Sequence, residues 1–76
     1  MKPNDVVYAL LKDTNTTQGA LAHLIGKASA AAVSNRLNRT AMGVDAFVEM
    51  VDALGYEIVV RSKEPTDVRK EYIVTK

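Results

Sequence analysis

The sequence predicts a mainly α domain, four helices closed by a C-terminal β-hairpin, and three observations carry that reading. From 5 to 54 the apolar residues recur at steps of three and four, the period of one helix face, most clearly at Val44, Phe47, Val48, Val51 and Leu54. A polar cluster at 13–16, Gly26 and Gly55 interrupt that period, as helix ends do. Beyond Gly55 the pattern changes to two short runs rich in β-branched and aromatic residues, 56–61 and 71–75.

The first helix is expected over 5–12, with Asn4 as its cap and Val6, Val7, Leu10 and Leu11 turned inward. Thr17 caps the second, in which Leu21, Leu24 and Ile25 form an apolar stripe and Ala22 is small where two helix backbones must approach. Gly26 can take the positive φ that ends it. The third helix follows over 28–38 with Ser29 as N-cap; Val33 and Leu37, one turn apart, are its buried face and Ala30, Ala31, Ser34, Asn35 and Asn38 point elsewhere. After a loop at 39–43 the fourth helix takes 44–54, Met42 and Met50 filling gaps in the core. The segment between the strands, with Pro65, Thr66 and Asp67, suits a hairpin loop longer than a tight turn. A lone two-stranded hairpin is marginally stable and open-edged, so 56–76 is the expected dimerisation element, paired with the same hairpin of a second copy.

Seventy-six residues make one domain, 1–76, with a helical unit 1–55 and the hairpin 56–76. A domain of this size buries only roughly 60% of its unfolded surface, which a second chain would improve. The absence of cysteine excludes disulfides, a thiol nucleophile and a cysteine zinc site, and suits a reducing cytoplasm. No apolar run approaches the ~20 residues of a membrane span, and the first residues lack the long apolar stretch of a signal peptide. His23 is the only histidine, so neither a histidine metal site nor a proton relay is suggested; no enzyme activity and no cofactor are expected. The net charge of +1 conceals an asymmetry. Residues 1–43 carry five basic and two acidic side chains, whereas 44–76 carry five basic and seven acidic ones. Between Asp13 and Asp45 there is no acid at all, a requirement for approaching nucleic-acid phosphates and also what chance allows in a short, Ala-rich stretch.

Thr17-Gln18, Leu21-Ala22, Gly26, Val33-Ser34 and the run into Leu54-Gly55-Tyr56, in that order over about residues 5–61, resemble the lambda-repressor-like, Cro/CI-type helix-turn-helix proteins, in their short phage-like and bacterial members. The resemblance implies a four-helix helix-turn-helix fold and a cytoplasmic, sequence-specific transcriptional regulator, usually a repressor, that binds double-stranded DNA as a homodimer. It places Thr17 and Gln18 against backbone phosphates and the third helix in the major groove. The chain departs from the family in a turn one residue longer between Gly26 and Val33, and in Ala30, Ala31 and Ala32 where a long polar reader is common.

The candidate DNA-binding residues are Thr17, Gln18, Lys27, Ser29, Ala30, Ala31, Ser34, Asn35, Arg36, Asn38 and Arg39. Arg36 and Arg39 suit phosphate or guanine and have no acidic neighbour in sequence; Asn35 can pair with adenine, and alanines can meet thymine methyls. Each also has a plain alternative: solvated surface for the arginines and Asn35, N-capping for Thr17, a tolerated helix position for Ser34. Asp45, Glu49 and Asp52 read as the solvated stripe of the fourth helix, and Tyr8, Tyr56 and Tyr72 as packed rings with wet hydroxyls. Two other functions stay open, an antitoxin-like protein whose C-terminal part binds a toxin, and a helix-turn-helix scaffold used only for protein interaction.

Overall fold

The computed structural model describes residues 1–63 and 70–76. Four helices, α1 (Pro3–Asp13), α2 (Gln18–Leu24), α3 (Ala30–Leu37) and α4 (Val44–Ala53), precede two strands, β1 (Ile58–Val60) and β2 (Tyr72–Val74). The strands pair antiparallel in the register Ile58 to Val74, Val59 to Ile73 and Val60 to Tyr72. The expected hairpin loop at Pro65, Thr66 and Asp67 lies outside the described residues.

Residues of all four helices share one core: Val7 and Leu11, Leu21 and Ala22, Val33 and Leu37, and Met50 with Leu54, the residue that caps α4. Met50, fully buried, is more than a gap-filler. α4 is buried on a second side as well. Val48 and Val51 turn from that core toward Ile58 and Val74, and with them line a half-open cavity of about 210 Å³ between α4 and the sheet. Helix and sheet therefore meet through side chains of one helix.

Three helices end the same way. Asn15, Gly26 and Gly55 hold φ of 53°, 75° and 85°. At each, the following residue donates its N–H back to a carbonyl five positions earlier: Thr16 to Leu11 at 2.9 Å, Lys27 to Ala22 at 2.8 Å and Tyr56 to Val51 at 3.1 Å. These are Schellman caps, in which a left-handed residue lets the chain reverse while satisfying the last carbonyls. At the other ends, Thr17 Oγ1 accepts from the Ala20 N–H at 3.0 Å, and Asp5 accepts from the Lys2 N–H at 3.2 Å.

Several expectations are corrected. Asn4 is not the cap of α1, which begins at Pro3, a residue with no N–H to lose in the first turn. Its side chain instead donates to the carbonyls of Leu37 at 2.6 Å and Arg39 at 3.0 Å, closing the C-terminal end of α3 from across the molecule. Leu24 and Val44, expected inward, are 59% and 66% exposed because each lies at a helix end beyond the reach of its neighbours. α3 starts at Ala30, not 28, since the Schellman turn carries the chain extended through Ser29 (φ −155°, ψ 163°). Ser29 stands at the N-cap, but its side chain makes no capping bond. The strands are shorter than the β-branched runs that predict them, three residues each.

Candidate nucleic-acid interface

α2 and α3 pack against each other more extensively than any other pair of elements. Their first turns are in contact. A Cβ built on Gly19 would lie 3.9 Å from Ala30 Cβ and 3.9 Å from Thr17 Oγ1, so the starts of both helices stand side by side. Thr17 and Ala30 are thereby set on either side of Gly19, each at ordinary van der Waals distance from where its Cβ would be. The turn between them, 25–29, presents Lys27 and Ser29 to solvent.

Along α3, Val33 and Leu37 face the core, and the opposite side belongs to Ala31, Asn35 and Asn38, spaced four and three apart and all exposed. Ser34 is half-buried beside them, and its Oγ accepts from Asn38 Nδ2 at 3.4 Å. Arg39, exposed, follows the helix, its carbonyl held by Asn4. This face is small-sided and amide-bearing, with Lys27 at one end, Arg39 at the other and no carboxylate in its sequence.

No family model, curated protein or solved structure matches the chain.

Arg36 stands apart from the other candidates. It leaves the far side of α3 toward α4, where its Nη1 lies 2.7 Å from Glu49 Oε1; the other carboxylate oxygen, Oε2, accepts from Lys76 Nζ at 3.1 Å. The side chains of Arg36 and Glu49 are only 21% and 25% exposed. The hydrogen bond from Arg36, then that from Lys76, holds the Glu49 carboxyl below its ordinary value. Arg36 thus has an acidic partner that its neighbours in sequence do not supply, and Glu49 is no member of a solvated stripe. Sequence separation hides the pair: they are 13 positions apart, with a turn between them that no local rule orients. Sequence reasoning also passes over Gly19, and it reads Asn4 only as a cap of its own helix. The one available signal at Gly19 is the glycine itself, an unfavourable choice inside a helix, although a Cβ there would meet Ala30 and Thr17 only at ordinary contact distance.

Among the described residues no helix is long and apolar enough to cross a membrane, and no three His, Asp or Glu side chains are grouped as a metal ion would require.

Proposed function

We propose that the protein is a sequence-specific DNA-binding regulator of transcription, a repressor that acts as a homodimer and lays α3 in the major groove. The observation that carries this reading is the side-by-side start of α2 and α3 at Gly19 and Ala30. It sets the capped start of α2 beside Ala30, the first residue of the helix whose Ala31, Asn35 and Asn38 are exposed, an arrangement a helix-turn-helix reader uses. In that pose Asn35 and Asn38 meet base edges, Ala30 and Ala31 allow the helix close to the groove floor and can touch thymine methyls, and Thr17, Gln18, Lys27 and Arg39 serve the phosphates. Repression follows from occupancy, since a protein seated on a promoter excludes the polymerase.

Selection from a randomised duplex pool, with salt titrated, tests the reading. Expected is an inverted repeat with half-sites roughly 34–36 Å apart. Binding that falls steeply with salt but enriches no sequence would reduce α3 to backbone attraction, and an absence of binding at low salt would overturn the reading. The exposed apolar side chains of the strand pair, Val59, Val60, Tyr72 and Ile73, support a second one, in which the sheet docks a protein such as a toxin.

A further inference from the structure

β1 has a neighbour on one side only, and no backbone hydrogen bond reaches its other edge among the described residues. Alternation along the strand gives its two faces different characters. Ile58, with Val74 opposite, is half-buried against α4. Val59 lies on the other face with its partner Ile73, 40% and 58% exposed, and the same alternation, continued one residue beyond each end of β1, puts Glu57 and Arg61 on the face of Val59. Glu57 and Arg61 are both exposed and form no ion pair among the described residues.

We propose that this free edge pairs antiparallel with β1 of a second copy, with Val59 on the two-fold axis. Symmetry leaves few registers to consider, because a strand that pairs with itself must place one residue opposite its own copy. Centring on Ile58 sets the charged Glu57 against Val59, and centring on Val60 sets Val59 against Arg61. Centring on Val59 sets Ile58 against Val60 and Glu57 against Arg61 of the partner subunit, twice by symmetry, so that apolar meets apolar and acid meets base. The free edge of β2 offers no such match: centred on Ile73 it sets Lys70 against Lys76 of the partner subunit, and Lys76 is already engaged by Glu49. The resulting four-stranded sheet carries an unbroken apolar row over its outer face, Ile73 and Val59 of each copy. Two strands of this length bury less than the ~1,200 Å² of standard interfaces, which makes the dimer a weak, concentration-dependent one.

The proposal rests on the homodimer of the functional reading but not on DNA, and its test is run without DNA, so that failure here leaves the duplex selection to judge DNA binding separately. Sedimentation equilibrium is measured for the wild type, Glu57→Arg, Arg61→Glu and the double variant. Each single reversal sets like charges opposite one another at two places and should weaken dimerisation by at least about tenfold, while the double variant restores it. Val59→Cys, in a chain otherwise free of cysteine, should form a disulfide-linked dimer in air, whereas Ile73→Cys, one strand further from the axis, should not. The cysteine pair keeps the proposal testable if a charge reversal disturbs folding, which circular dichroism reports. A wild type that stays monomeric at millimolar concentration, reversals without rescue, or cross-linking through Ile73→Cys in place of Val59→Cys would overturn it.

Discussion

Removing the Arg36 to Glu49 ion pair should cost the protein stability before it costs any affinity for DNA. Exposed ion pairs contribute about 0.2–1 kcal/mol, and breaking a fully buried one costs about 3–5 kcal/mol. With a 2.7 Å separation and side chains 21% and 25% exposed, this pair belongs between those limits. A coupling of about 1–1.5 kcal/mol is expected from a double-mutant cycle of Arg36→Gln and Glu49→Gln by urea denaturation. In a domain of this size 1 kcal/mol moves Tm by about 4–8 °C, an independent check. The pH dependence has a definite sign. Because the folded-state pKa of Glu49 is depressed below 4.5, its contribution is fully present above that value and is lost as the pH falls through the folded value, so the wild type should lose more stability than Glu49→Gln below about pH 4.5. In the DNA assay Arg36→Gln should leave the salt dependence nearly unchanged, whereas Lys27→Gln and Arg39→Gln should each reduce the slope by about 0.9 for every phosphate they no longer neutralise. A coupling under about 0.3 kcal/mol, or a slope that falls with Arg36→Gln as it does with Arg39→Gln, would refute the view that Arg36 joins α3 to α4.

Asn4→Ala removes two donations to the end of α3 and leaves a half-buried carbonyl unsatisfied, an expected loss of about 1–2 kcal/mol in denaturant unfolding. Gly26→Ala forces an alanine to φ 75° and should cost about 1–2 kcal/mol, while Gly43→Ala, at φ −65°, should stay within about 0.5 kcal/mol of the wild type. Met50→Ala empties the fully buried centre of the core and should cost about 2–5 kcal/mol, read as a lowered urea midpoint. Ala31→Glu, on the exposed face of α3, should leave the midpoint unchanged and lower duplex affinity by at least about tenfold in a fluorescence-anisotropy titration.

Helix number and order were legible because the local signals agree: the i, i+3, i+4 pattern of α4, Thr17 as a cap, and Gly26 and Gly55 at positions that require positive φ. The third Schellman cap fell on Asn15, which tolerates the left-handed region and so hid among ordinary loop residues. What escaped is non-local. Asn4 has the chemistry of a helix cap and is spent as one, but on α3, 33 residues away, which no reading of its neighbours reveals. Glu49 has the spacing of a solvated stripe, yet α3 brings Arg36 over it. The candidate interface was legible at its exposed positions, since Ala31, Asn35 and Asn38 follow directly from the burial of Val33 and Leu37. The approach of α2 to α3 at Gly19 was not, because it depends on the angle between two helices.

The brevity of the middle helices has a kinetic and mechanical corollary. α2 has seven residues and α3 eight, well short of the ~12–15 that an isolated helix needs to hold itself together in water, and each anchors in the common core by just two side chains. Neither can melt and re-form on its own while the rest stands, so a peptide cut to 17–38 would be coil. Amide exchange in α2 and α3 should proceed only through opening of the whole helical body, at a single free energy. The exposed face of α3 is consequently an all-or-none property of the domain: heat, denaturant or a protease removes it in the same cooperative step that removes the fold.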